Sequence, residues 1–173
     1  MSKEEEIGTL IVVVLKAQNL QDKHSFWKQD VYATATLNGV TKKTRVEVKG
    51  GQHPVWDEEL RFPVLKGTTE KFRVLEVACY AKEARSDDLL GTGKVKIEET
   101  LHTGEFDDWV KLDTNGVQRG DLYLEMTYFS SGPPPMSPTT ASSGNSLLAP
   151  PQKSNLVRRP SKLPATERLS GPP

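Results

Sequence analysis

Polar and apolar positions alternate along this chain in short runs, the pattern of half-buried strands and not of helices. Over residues 30–37, Val31, Ala33, Ala35 and Leu37 interleave with Tyr32, Thr34 and Thr36. Residues 7–15, Ile-Gly-Thr-Leu-Ile-Val-Val-Val-Leu, are apolar on both parities and rich in β-branched side chains. That run suits a strand covered on both sides. Asn38-Gly39 marks a tight hairpin, because both central residues must accept a positive φ. A partner strand is expected from there to about Val48. Further strands are expected over 57–63, 72–80, 89–97, 107–112 and 121–129. The last sets Leu122, Leu124, Met126 and Tyr128 on one face, after turn signals at Asn115-Gly116 and Gly120. No long 3.6-residue period occurs in the first 129 residues. Eight short strands separated by turns predict an all-β fold, an eight-stranded antiparallel β-sandwich. Trp56 and Trp109 sit within strand signatures and are expected in its core.

The alternation stops after Phe129. Residues 130–173 hold ten of the twelve prolines and nine of the twelve serines, and no aromatic residue. Such a segment cannot bury enough apolar surface to offset its ordering entropy. The expected organisation is an N-terminal extension over 1–6, one domain over 7–129 and a disordered Pro/Ser-rich tail over 130–173.

Charge divides at the same seam. The whole chain has 23 basic and 23 acidic residues and no formal net charge. The tail sets Lys153, Arg158, Arg159, Lys162 and Arg168 against Glu167, a net +4, which leaves −4 on the first 129 residues. Such a balance argues against a dedicated nucleic-acid binder. No apolar run reaches the length of a membrane-spanning helix. The polar, acidic start is unlike a signal peptide. The single cysteine, Cys79, cannot close an internal disulfide, and there is no Asn-x-Ser/Thr sequon. A cytoplasmic protein is expected.

Catalysis has no sequence support. His24, His53 and His102 lie in different segments without metal-ligand spacing, and Gly91-Thr-Gly-Lys94 lacks the spacing of a phosphate loop. No catalytic residue, resident metal, cofactor or small-molecule substrate is expected.

Several motifs are more specific. Leu10-Ile-Val-Val-Val-Leu-Lys-Ala17-Gln-Asn-Leu20 precedes a loop and Asp30-Val-Tyr32; His53-Pro54-Val-Trp56-Asp57-Glu58 and Asp87-Asp88-Leu-Leu-Gly91 follow. This order resembles a C2 domain across residues 7–129. The extra closing strand, Gly120-Asp-Leu-Tyr-Leu-Glu-Met-Thr-Tyr, is similar to that of the permuted (type II) topology. Lys28-Gln29-Asp30, Lys42-Lys43-Thr44 and Gly50-Gly51-Gln52-His53-Pro54 resemble the fungal ingression family. Trp27 and Val31 differ from the Gly and Pro usual at those places. The resemblance implies a C2 domain with a proline-rich, SH3-binding tail, acting in cytokinesis to couple the actomyosin ring to membrane ingression and septum formation.

The resemblance also bears on calcium, which wants six to eight oxygen ligands. Of the five aspartates of calcium-binding C2 domains, two are kept here, Asp30 and Asp88. The other positions fall on His24, Tyr80 and Lys82. A shifted alignment would bring in Asp22, Glu83 or Asp87. The expectation is a calcium-independent domain, with Asp30 and Asp88 acting in loop-capping hydrogen bonds.

Two features suit a weak, peripheral contact with an anionic phospholipid membrane. Lys42, Lys43, Arg45 and Lys49 form a basic stretch, with Lys43 and Arg45 two apart on the expected strand and so on one face. An ordinary solvated face containing Glu47 is the plainer alternative. Phe26-Trp27 lies in the loop before Asp30, where it can wedge among headgroups, cover the vacated calcium site or meet a protein partner. In the tail, Pro135 and Pro138 give a PxxP spacing, and Pro150-Pro151-Gln-Lys153 resembles an SH3 ligand with a basic residue after its prolines. Ser137-Pro138 fits a proline-directed kinase, and Arg158-Arg159-Pro-Ser161 fits a basophilic one. The expected role is an adaptor at the cell cortex and division site that links plasma membrane to SH3-domain proteins. The alternative is a C2 domain used for protein–protein contact alone.

Overall fold

A computed structural model describes residues 5–22, 26–131 and 156–163. Eight strands run in the spatial order β3-β2-β5-β6-β7-β8-β1-β4. They are β1 (Glu6–Gln18), β2 (Val31–Leu37), β3 (Val40–Lys43), β4 (Val55–Leu65), β5 (Val74–Ala81), β6 (Asp88–Lys96), β7 (Glu105–Thr114) and β8 (Val117–Ser130). All neighbours are antiparallel. The order folds over between β6 and β7, which share a single register pair, Thr92 with Asp113. Gly93 permits that close approach: a Cβ there would stand 2.7 Å from the Lys111 carbonyl oxygen. The halves β3-β2-β5-β6 and β7-β8-β1-β4 thus make the two layers of a sandwich. Strand β8 lies between β7 and β1, the place of the closing strand in the permuted topology.

The alternating pattern explains the core. Val31, Ala33, Ala35 and Leu37 of β2 are buried, and Tyr32, Thr34 and Thr36 are not. Trp56, Phe62, Leu10, Leu75, Leu112, Leu122 and Leu124 fill the space between the layers. The indole N–H of Trp56 donates to the Val31 carbonyl at 3.1 Å. Cys79 is fully buried, and burial pushes its thiol up to about 12, which keeps it a neutral core residue. Asn38 and Gly39 take φ of 58° and 77°, the two positive values a primed hairpin turn requires.

Three details depart from the sequence expectation. The strand after Asn38-Gly39 ends at Lys43 and does not continue to Val48. Beyond it, the Thr44 hydroxyl accepts the Ala33 N–H, and pairing resumes only at Val31 with Glu47, one residue out of register. The extra residue is a bulge, which turns the chain away from the sheet. Second, two short helices, α1 (Glu70–Arg73) and α2 (Glu98–Thr103), precede β5 and β7. The expected strand start at Phe72 is therefore helical. Third, Trp109 lies outside the main core, edge-on to Tyr123 with 5.1 Å between ring centroids.

One stretch of the tail is placed on the domain. Residues 156–163 lie against the outer face of β7, β8, β1 and β4, where Leu156 and Leu163 pack on a second cluster of Ile11, Val13, Leu15 and Tyr123. The outer face of β1 is itself apolar, and these eight residues cover it without forming a helix or strand. Pro135, Ser137, Pro138, Pro150, Pro151 and Lys153 lie outside the described residues.

Candidate functional site

Three loops meet at one end of the sandwich, and their described residues are 19–22 with 26–30, 44–54, and 82–87. Asp30 stands where they join. Its carboxylate accepts the Lys49 N–H at 2.8 Å, and its carbonyl accepts the Lys82 N–H at 2.8 Å. Loop capping is thus what Asp30 does here. Asp88 is exposed at the start of β6. The capping role expected of it belongs to Asp87, which accepts the Tyr32 hydroxyl at 2.6 Å and the Glu83 N–H at 3.0 Å, with the Lys82 ammonium at 3.8 Å. Tyr80 stacks on Tyr32 with 5.3 Å between centroids. Tyr80 and Lys82, expected at two of the calcium-ligand positions, thus flank the Tyr32–Asp87 hydrogen bond, Tyr80 by stacking and Lys82 by charge. His24 lies outside the described residues, among which no group of three acidic, His or Cys side chains is placed to hold a metal ion.

Those contacts shift two titrations. Hydrogen bonds from Tyr32 and then from the Glu83 amide hold the Asp87 carboxyl below its ordinary value, helped by Lys82 and Lys43. Burial, followed by the bond to Asp87, pushes the Tyr32 phenol up to about 12. A carboxyl whose value falls on folding stabilises the native state above its unfolded value of about 3.9. That contribution disappears as pH falls through the lowered folded value. Wild type is accordingly expected to exceed Asp87→Asn in urea stability at neutral pH. The gap should narrow as pH falls below that unfolded value, as paired unfolding curves will show.

The basic residues separate. Lys43 sits on the outer face, its ammonium 5.8 Å from the Tyr32 ring centroid. Lys42 points the other way and covers the Phe62 ring at 5.6 Å. Arg45 does not share a face with Lys43, since β3 ends between them. Its guanidinium donates to the Trp56 carbonyl at 2.7 Å and lies 3.6 Å from Glu58 and 3.9 Å from Glu47. The expected basic strip thus reduces to Lys43 on the sheet and Lys49 in the loop.

The aromatic pair is prominent. Phe26 is 92% exposed and Trp27 61%, and Val48 on the neighbouring loop is 64% exposed. These three border an open cleft of about 670 Å³ with Lys28 and Lys49. The second loop was missed as a contributor, because the expected strand ran through Val48.

The C2 domain family model matches residues 8–112, more than half of the chain. The chain belongs to the C2 domain family. Its similarity extends to the ingression protein fic1 of Schizosaccharomyces pombe, 25% identical over 134 residues, which cover 77% of this chain and 48% of that protein. A calcium-dependent lipid-binding protein of Arabidopsis thaliana is 31% identical over 130 residues, covering 70% of this chain and 25% of that protein. The chain thus spans less than half the length of these relatives. A solved C2 domain-containing protein from a putative elicitor-responsive gene shares the fold, with a TM-score of 0.62 at 22% identity over 77% of this chain and 96% of that one. Among the described residues, no helix of this C2 protein is long and apolar enough to cross a membrane.

Proposed function

We propose that this C2 protein is a calcium-independent adaptor of the cell cortex. It meets anionic membrane through the loop tip of Phe26, Trp27 and Val48, and its proline-rich tail engages SH3-domain proteins at the division site. The carrying observation is the exposure of Phe26 and Trp27 at the end where the three loops join, beside Val48 and Lys49. A Trp at such a tip suits the headgroup layer, where its apolar ring and polar N–H are both accommodated. Lys49 and Lys43 add attraction worth roughly 1 kcal/mol each near an anionic leaflet. Calcium independence is supported by the carboxylates: Asp30 is held by the Lys49 amide, and Asp87 by Tyr32. Similarity to the ingression protein fic1 supports the division-site role, and the PxxP and Pro-Pro-x-Lys segments support the SH3 link.

Co-sedimentation with vesicles of graded phosphatidylserine content tests this reading. Binding is expected to rise with anionic content, to weaken with salt, and to be the same with calcium or with chelator. Lys43→Glu should lower the affinity by about fivefold or more, since the variant replaces an attraction by a repulsion. Absence of binding at low salt would overturn the membrane contact and leave the C2 domain a protein-binding module.

A further inference from the structure

The outer face of β7 and β8 carries a chemical problem that the tail solves. Asp107 and Glu125 are direct cross-strand partners, and Glu105 lies on the same strand as Asp107. Like charges opposed across a sheet repel. Residues 156–163 bring cations to them. Arg159 Nη2 donates to Asp107 at 2.6 Å, and Lys162 Nζ lies 3.0 Å from Glu105 and 3.2 Å from Asp107. At the other end of the segment, Arg158 donates to Asp57 on β4 at 3.0 Å. Leu156 and Leu163 pack on the apolar cluster beneath.

Ser161 is the centre of this strap. Its hydroxyl donates to Glu125 Oε2 at 2.7 Å, and the same oxygen accepts the Lys162 N–H at 3.1 Å. Glu125 is only 5% exposed. Its buried carboxylate is therefore matched to a neutral donor at position 161 and cannot tolerate an anion there. Ser161 is also preceded by Arg158 and Arg159 in the Arg-Arg-x-Ser arrangement that arginine-directed kinases read.

We infer that Ser161 is a modification site for an arginine-directed protein kinase, and that its phosphorylation lifts the strap 156–163 off the sheet. In the reaction the Ser161 oxygen attacks the γ-phosphorus of ATP. The new Oγ–P bond forms as the bond from that phosphorus to the β,γ-bridging oxygen breaks. ADP leaves, and the hydroxyl proton passes to a base of the kinase. The substrate is the undocked segment, because kinases bind their peptides extended. The product carries about two negative charges and cannot donate to Glu125. It faces Glu125, Asp107 and Glu105, and it competes for Arg158 and Arg159, the cations that held the strap. Both effects act against redocking, which uncovers the Ile11, Val13 and Tyr123 surface.

The test uses the full chain, isotopically labelled, with a basophilic kinase and ATP, and a peptide spanning 154–165 as the kinase control. Hydrogen exchange at the Lys162 amide and the resonances of Trp109 and Tyr123 report docking. In the unmodified chain the Lys162 amide should be protected, and Arg159→Glu should remove that protection. Stoichiometric phosphate at Ser161 should raise its exchange at least about tenfold and move the Trp109 and Tyr123 signals to their positions in Arg159→Glu. In Ser161→Ala, which has no hydroxyl to modify, kinase and ATP should leave the Lys162 exchange and the Trp109 and Tyr123 signals as they stand before treatment. Three results would overturn the proposal: modified Ser161 with protection intact, no modification of the chain when the peptide is fully modified, or no difference between the unmodified chain and Arg159→Glu.

Discussion

Trp56→Ala is expected to cost about 3–5 kcal/mol of folding stability, the range for emptying a large aromatic site in a packed core. Trp56 is 1% exposed and is among the largest fully buried side chains. It stands on β4 and reaches the β2 carbonyl of Val31, so it ties together strands from the two layers. Loss of the indole leaves a cavity against β2, on the side where β3 is short and a bulge follows Lys43. The Val31 carbonyl keeps one partner, the Glu47 amide at 2.7 Å, so the cost is chiefly packing. A fall of about 10–20 °C in the unfolding midpoint is the matching thermal result. Trp56→Phe, which keeps most of the ring, should lose less than half as much. A loss below about 1 kcal/mol for the alanine variant would show that β4 does not close the core.

How much of this was legible depended on whether a side chain's direction follows from period alone. The β2 alternation placed Val31 to Leu37 correctly, because a strand fixes parity. The same rule accounts for Trp109: Val110 and Leu112 take the inward parity of β7, so Trp109 faces out, and its aromatic character was a poorer guide than its position. The doubly apolar pattern of β1 announced a need for cover on both faces, but not that Leu156 and Leu163 would supply it from more than a hundred residues away. The loops were harder. The C2 resemblance favoured Asp88, whereas Asp87 holds Tyr32, because loop side chains take their direction from tertiary contacts. The end of β3 was likewise set by Thr44 with Ala33 and by Glu58 with the Arg45 amide. The basic strip failed with it, since the spacing of Lys43 and Arg45 has meaning only on a continuous strand.

Membrane affinity is expected to fall by about a hundredfold in the double variant Phe26→Ala, Trp27→Ala. Each aromatic can bury apolar surface worth on the order of 1–2 kcal/mol at partial insertion, and every 1.4 kcal/mol is tenfold. Stability should be unchanged, because Phe26 is 92% exposed and Trp27 61%. Anionic vesicles whose acyl chains carry bromine, added in the presence of a calcium chelator, probe the contact itself, since bromine quenches only an indole that enters the bilayer. Trp56 is buried in the core, and Trp109 lies against Tyr123 on the outer face of the second layer, which leaves Trp27 as the loop-tip reporter. The proposed contact predicts strong quenching of the wild-type emission and none in Trp27→Phe, with calcium making no difference. Vesicle-bound protein with unquenched Trp27, or quenching that appears only when calcium is added, would contradict it.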